Sequence, residues 1–596
     1  MEQTILRVFN GLSALGTNGF DNGVERNYKD DMLLKIKDII VVAGVLVAIM
    51  WLLLLNYGVA RTIDEVLQVV QWHRFCVRCP VVLAVLIAAL WLVRNGKIGE
   101  AAGWSVIGIS TVEAVLSAMQ LYGFAWSHHS LYKQTGSFYN PGPLGGFLAI
   151  GFVVALSTAL KEKRLSFDDD EIYCFNIKRL EISLCHQHLY YVTVVVLVLI
   201  AMILPSTMSR TAWAAMALGA LYVAACQINW RKYLPQKRWQ KMALAIGLPI
   251  VLAVAAAGAW HLKTGSAVGR VFMWTISARA VADSPWTGHA NFKHAYAEAQ
   301  ERYFRECGTN ADGGIMAAER YVDAAGCPDY AFNEYLNAAV EWGLPALLGI
   351  LAFIVLTMVV GHRSRRYGLV GGIITLLVFA WASYPMHLPA FVATLLVMAV
   401  GCWWNWIEQN IKTKTVATIA LLMVGVVCCL NIGKMQNREQ GLRKWAKVQH
   451  FYSIKAYDVA CREDSALYDR MRWNGRFMYE YGHALHNLKR YAQSNEILLE
   501  ADQLLNDAMT LNVIGKNYQM QGQYEMAEQY FTKSAYRVPN RLYPHYLMFK
   551  MYSDSVSYNA EKAERAANII LSKPVKIESE ATRQMFEEAK EYIERQ

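Results

Sequence analysis

The chain has 596 residues, 55% of them hydrophobic and 18% charged, with a formal net charge of +10. Soluble domains carry about 25% charged residues, so the deficit argues for a membrane protein. The modest positive charge fits basic loops beside a bilayer better than nucleic-acid binding, which needs basic residues gathered on one folded face.

Met1 to Lys37 is polar, so no cleavable signal peptide is expected ahead of the first apolar run. A spanning helix takes roughly 20 mostly apolar residues. Such runs lie near residues 39–58, 75–93, 104–122, 144–160, 189–204, 211–228, 242–260, 344–360, 369–381, 389–406 and 416–432. The expected fold is therefore all-α, a polytopic helical membrane protein of about 11 spans.

Lys and Arg collect on the cytoplasmic side of membrane proteins. Here they gather in the N-terminal segment (Arg7, Arg26, Lys29, Lys35, Lys37) and in the even-numbered gaps, as at Lys161–Arg179, Arg231–Lys241, Arg363–Arg366 and Lys412–Lys414. Residues 1–38 then read as a cytoplasmic segment and 39–432 as the membrane domain. The odd gaps face outward, with Arg61, Arg74 and Arg78 as the exception in the first of them. The seventh gap, about 261–342, is far longer than the rest and is where function is expected.

An odd span count puts the polar tail, 433–596, on the same side as this loop. In the tail Gly482, Leu485, Tyr491 and Leu498 recur 33 residues later as Gly515, Tyr518, Tyr524 and Phe531, followed by Ala535 and Pro539. A weaker third unit covers 543–574, with Ala563 and Ala567 in packing positions. The period resembles tetratricopeptide repeats, which implies stacked helix pairs and a concave face able to hold a peptide. Of the 11 cysteines, Cys307 and Cys327 stand apart in the outward loop and form a candidate disulfide. Cys76 and Cys79 have CxxC spacing without a second pair, and read as incidental.

The chemistry-bearing candidates are arginines. Arg210 follows the short outward turn PSTMSR, and Arg270, Trp274 and Arg279 open the loop. A guanidinium fork suits pyrophosphate oxygens and stays charged in a partly dry site. The loop has no DxD or HExxH pattern, and the chain has no Walker loop or GxSxG turn, so ATP-driven transport and serine hydrolysis lack support.

The segment GRVFMWTISARAVADSPWTGHANFKHAY followed by FNEYLNAAVEWG resembles the central loop of the O-antigen ligase and O-oligosaccharyltransferase family. STMSRTAW, EAVLSAMQ and TGSFYNPGPLGGFLA resemble the same family, in the right order over about residues 100–400. The resemblance implies a GT-C-type membrane glycosyltransferase, acting without metal or cofactor on a glycan linked to undecaprenyl pyrophosphate. It implies that Arg210 (the SR motif) and Arg270 (R-x-x-x-W) hold the pyrophosphate. Asn333, Glu334 and Tyr335 match the tail of the family's HNxxL motif, and Glu341 and Gly343 its ExG. The usual histidine is Phe332 here, which cannot take a proton. His289 is the nearest substitute, with His294 and Glu334 as further candidates; Arg279, Trp274, Asn333, Glu334 and Tyr335 are expected at the substrate. With a lipid bilayer and no nucleic acid as setting, the leading expectation is transfer to Ser or Thr of periplasmic proteins, from a protein in the bacterial inner membrane, because a repeat tail suits a polypeptide acceptor. Ligation onto lipid A core, glycan polymerisation, and a non-enzymatic transporter or scaffold are the alternatives. Glu113, nearly alone as an ionisable residue inside the spans, is expected to bond a neighbouring span.

Overall fold

The computed structural model describes residues 22–58, 64–93, 97–168, 172–177, 180–230, 264–309, 315–573 and 578–595, with isolated positions among 237–242. Arg7, Arg61, the seventh expected span beyond Met242 and the loop before Thr264 lie outside the described residues. Every other expected span falls on a helix. These are α1 (Asn22–Leu53), α2 (Asp64–Leu92), α3 (Ile98–Leu121), α4 (Pro141–Asp168), α5 (His186–Ile203), α6 (Arg210–Gln227), α10 (Glu334–Arg363), α11 (Tyr367–Ala380), α12 (Pro389–Glu408) and α13 (Ile411–Ser453). Among the described helices seven are long and apolar enough to cross a membrane, and two further apolar helices are shorter. Among the described residues the fold is helical apart from one hairpin, Ile172–Ile177 paired antiparallel with Leu180–Cys185 in the gap between α4 and α5, and a single bridge between Thr309 and Ile315.

The membrane core closes where α4 packs on α5, α6 and α11, and α3 packs on α12. The loop forms its own layer from α7 (Thr264–Asp283), α8 (Phe292–Cys307), the short α9 (Glu319–Ala324) and the start of α10. Their apolar faces meet around Phe272, Ile276, Phe292, Tyr296, Phe304 and Val340, which are fully or nearly fully buried.

The exceptional arginines of the first hairpin have a local cause. Arg74 donates to the carbonyls of Leu55 (3.3 Å) and Tyr57, and Arg78 to those of Trp51 (2.9 Å) and Leu54 (2.8 Å). Both satisfy orphan carbonyls at the end of α1, where the helix dipole favours a cation. Before that point α2 runs on past the bundle, and Val66, Leu67 and Val70 enter the core of the tail beside Leu442, Trp445 and Phe477.

No linker separates the last span from the tail. The boundary expected at 432 falls inside α13, one helix of 43 residues whose far end starts the tail. The tail continues as α14 (Tyr457–Met471), α15 (Gly475–Asn487), α16 (Tyr491–Asp502), α17 (Ala508–Met520), α18 (Tyr524–Arg537), α19 (Tyr543–Ser553), α20 (Ala560–Ser572) and α21 (Glu580–Arg595), each packed on the next. The 33-residue spacing has a structural counterpart: a Cβ on Gly482 would meet Leu498 at 2.6 Å, and one on Gly515 would meet Phe531 at 2.5 Å. Asn474 and Asp507, the same distance apart, cap α15 and α17 through their side chains.

Cys307 and Cys327 are free thiols. Cys307 ends α8 and lies against Tyr303, whereas Cys327 meets the Ala508 N–H of the tail, so the two thiols have different neighbours.

Candidate functional site

Arg210 and Arg270 meet in one cavity. Arg210 is the first residue of α6, behind the left-handed Met208 and the cap position Ser209. Arg270 reaches it from α7 and donates to Thr211 (3.4 Å). The cavity, about 470 Å³, is also lined by Lys133, Gln134, Asn140, Ser206 and Ser209, and none of the described residues lining it is acidic. Burial, then the charge of Arg210, lowers the Arg270 pKa from its usual value, and a guanidinium still stays protonated. Two guanidiniums, an ammonium and the open N-terminus of an 18-residue helix make a strong anion site. Lys133 escaped the sequence reading, although it lies two residues before the TGSFYN segment.

The EAVLSAMQ stretch holds the loop that lines this cavity through Lys133 and Gln134. Glu113, Ser117 and Gln120 sit at i, i+4 and i+7 on α3 and hold the loop that follows it. Glu113 accepts from the Ser137 N–H (3.0 Å) and hydroxyl, Ser117 donates to Gln134 (2.9 Å), and Gln120 accepts from the N–H groups of Thr135 (2.8 Å) and Gly136 (2.7 Å). Gln134 then donates to Ser206 (2.7 Å), in the turn that leads to Arg210. Glu113 therefore binds this loop through both oxygens rather than only a neighbouring span.

Phe332 lies against the second arginine: the Arg270 guanidinium carbon is 6.0 Å from its ring centroid. Its backbone is left-handed (φ 49°), a conformation uncommon outside glycine, directly before α10. Asn333 caps that helix, accepting from the N–H groups of Tyr335 (3.0 Å) and Leu336 (3.1 Å). Ten residues on, α10 kinks at Gly343 (φ 80°, ψ 168°). The SPWTGH turn docks there backbone to backbone: the N–H groups of His289 and Ala290 donate to Val340 (2.7 Å) and Glu341 (3.0 Å), and that of Leu344 to Pro285 (2.7 Å). Gly288 (φ 68°) and Gly343 make this approach possible, since a Cβ on either would lie within 2.6 Å of the other segment's backbone.

His289 belongs to that dock. Its Nε2 is 2.9 Å from the Ala280 carbonyl, and a carbonyl only accepts, so this nitrogen carries the proton. His289 lines neither the arginine cavity nor the two cavities beside it. Arg279 turns towards α8, paired with Glu306 (2.5 Å) over the Tyr303 ring. Trp274 packs edge-on to Trp381 (6.2 Å), and Tyr335, whose hydroxyl donates to Leu377 (2.8 Å), packs on the same tryptophan. His294 faces the tail, its Nδ1 3.0 Å from the Asp502 carbonyl.

Glu334 leads to a residue that the sequence reading missed. It accepts from the Met386 N–H (2.6 Å) and lies 3.4 Å from His387 Nδ1, in the turn between α11 and α12. His387 Nε2 is 3.5 Å from Asn337, and its ring stands 4.2 Å from that of Tyr330. Glu334, Glu341, Asn337 and His387 form the polar end of a cleft of about 510 Å³ whose walls are apolar side chains of α10, α11 and α12. Burial raises the Glu341 pKa, against the opposing effects of His387 and Asn337. A third cavity of about 290 Å³ lies between the other two. It shares Asn140 with the arginine cavity and Gln68 and Tyr330 with the cleft, and Phe332, Tyr384 and Asp64 line it.

The tail seals the far side of the loop. Asn291 donates to the Gln503 carbonyl (2.9 Å), and Gln300 to those of Arg537 (2.5 Å) and Gly326 (3.1 Å). Arg537 is fully buried, paired with Asp502 and 3.8 Å from Glu301 of α8.

No curated protein and no solved structure matches the chain. A family model described as O-antigen ligase matches residues 195–351, from α5 into the middle of α10, a stretch that contains Arg210, Arg270, Phe332 and Glu334. The protein is thus a multi-pass membrane protein whose residues 195–351 are similar to the O-antigen ligase family.

Proposed function

We propose that the protein transfers a glycan from undecaprenyl pyrophosphate to Ser or Thr hydroxyls of exported proteins, on the periplasmic face of the inner membrane. The observation that carries this reading is the cavity shared by Arg210, Arg270 and Lys133 at the start of α6. In the reaction the acceptor oxygen attacks the anomeric carbon from the side opposite the pyrophosphate, and the carbon–oxygen bond to phosphate breaks with inversion. The charge that develops on the leaving group is met by fixed cations and a helix N-terminus, each fixed donor contributing on the order of 10²–10³ in rate. In this reading residues 1–38 are cytoplasmic, and 433–596 are a periplasmic, tetratricopeptide-like domain that holds the acceptor polypeptide. Its support is the docking of a stacked-helix tail on the loop layer that carries the arginines.

Ligation onto a lipid acceptor is the second reading, favoured by the apolar cleft between α10, α11 and α12, which suits an acyl chain. Deleting the gene and profiling glycoproteins and lipopolysaccharide side by side separates the two. Glycan lost from many periplasmic proteins with lipopolysaccharide unchanged supports the protein acceptor. Intact glycoproteins with a bare lipid A core refute it in favour of lipid ligation.

A further inference from the structure

Phe332 stands where the family resemblance places a proton acceptor, so this chain has to supply that chemistry from another position. We propose that His387 takes the proton of the acceptor hydroxyl and that Glu334 positions it, an inference that rests on the transferase reading above. As the acceptor oxygen forms its bond to the anomeric carbon, its proton passes to His387 Nε2, and the electron pair of the breaking carbon–oxygen bond leaves with the pyrophosphate held by Arg210 and Arg270.

The turn that carries His387 lies on the loop face, and three contacts fix it. Glu334 accepts from the N–H of the preceding residue, Met386 (2.6 Å), which aims the carboxylate at His387 Nδ1, 3.4 Å away. Trp72 donates to the His387 carbonyl (3.3 Å), and Tyr330 covers the ring. An imidazole whose Nδ1–H points at a carboxylate leaves Nε2 as the acceptor, and the carboxylate stabilises the imidazolium that forms. The neighbour of Nε2 is the Asn337 amide at 3.5 Å, a contact loose enough for a hydroxyl to replace. The charged and titratable groups around the ring are Glu334 and Glu341 of α10 and Tyr330 of the loop. Tyr330 also lines the middle cavity, where Phe332 sits against Arg270. The base therefore approaches from the α11–α12 turn, through the Tyr330 side of Phe332, instead of from residue 332.

The test uses the full chain in membranes of a deletion strain, with the lipid-linked glycan pool of those membranes as donor. The readouts are discharge of that pool, glycan on envelope acceptors and the amount of inserted protein. His387→Gln and His387→Ala are expected to slow transfer about 100-fold at unchanged donor saturation, and Glu334→Gln to slow it less, with Glu334→Asp recovering part of the loss. Phe332→His added to His387→Ala is expected to regain at least about tenfold, which a purely structural role of His387 would not allow. A double variant that stays at the level of His387→Ala overturns the assignment. So does a His387→Gln chain within about threefold of the parent, and Asp64→Asn losing transfer in its place would move the base to the middle cavity. Should His387→Ala fail to insert, His387→Gln and Phe332→His added to His387→Gln carry the test. Arg270→Ala, run in parallel, keeps the two readings apart: its full activity would sink the transferase reading, whereas an inactive Arg270→Ala beside an active His387→Gln sinks only this inference.

Discussion

Gly343→Ala is the substitution whose effect can be worked most directly from the geometry. The new Cβ would lie 2.4 Å from the Trp286 carbonyl oxygen, 2.6 Å from its carbon and 3.0 Å from the Thr287 nitrogen, all backbone atoms that cannot swing aside. The backbone at φ 80°, ψ 168° belongs to glycine almost alone, and holding another residue there costs about 1–3 kcal/mol. Relief requires the turn to lift off α10, which breaks the bonds of His289, Ala290 and Leu344 across the dock, each contributing about 0.5–1.5 kcal/mol. Those bonds oppose the lift equally in both chains, so the substitution shifts the ratio of docked to lifted turn by the strain alone, about 1–3 kcal/mol or roughly 5–150-fold. Hydrogen exchange on the solubilised full chain should show the amides of His289, Ala290 and Leu344 losing protection by that factor. Transfer should collapse with it, because the dock fixes α7, which carries Arg270, relative to the start of α10. Gly269→Ala is the control, since a Cβ there meets nothing within 4 Å. Normal protection and normal transfer in Gly343→Ala would refute the reasoning.

Arg270→Ala is expected to lose about 10²–10³ of transfer, and Arg270→Lys to recover only part of it because the planar fork is gone; an unchanged rate at normal membrane level removes the clamp. Asp464, buried in the tail, has its pKa raised to about 7 by burial and then by Glu480 and Glu463. The folded state keeps a proton that the unfolded chain loses near pH 4, so this residue's contribution to tail stability falls as pH rises from about 4 to about 7. Asp464→Asn should then raise the melting temperature at pH 8 and leave it unchanged at pH 4; an equal gain at both would point to another cause. Asp502→Ala leaves Arg537 buried with Glu301 at 3.8 Å. A loss of about 3–5 kcal/mol is expected, seen as faster tryptic cleavage in the tail, and unaltered digestion would count against the buried pair as the tail's anchor.

Hydropathy located the spans because crossing a bilayer imposes a local requirement, an unbroken apolar run, which each segment meets on its own. The 33-residue recurrence was legible for a related reason: Gly482 under Leu498 and Gly515 under Phe531 repeat one packing contact at one spacing. Charge counting stumbled at Arg74 and Arg78, whose partners are carbonyls of the preceding helix and leave no trace in composition.

The candidate site divides along the same line. That Arg210 and Arg270 hold an anion could be proposed from residue type and motif, but their shared cavity depends on α6 and α7 meeting across sixty positions of chain. His289 read as a base because it stands in a polar loop, yet a carbonyl of the preceding helix already claims its Nε2. His387 read as nothing in particular: a single histidine in a short turn, whose carboxylate partner lies 53 residues earlier. Its one sequence signal was its place in a gap on the loop face.

What the sequence determined by itself was therefore whatever neighbouring residues enforce among themselves: the apolar helices and the 33-residue spacing of one packing contact. The tertiary structure alone decided which polar groups meet, because a hydrogen bond or an ion pair acts over about 3–4 Å and chain separation says nothing about that distance. It carried Glu334 to His387, Gln134 to Ser206 and the tail to the loop, and it turned His289 and Arg279 into supports of the frame.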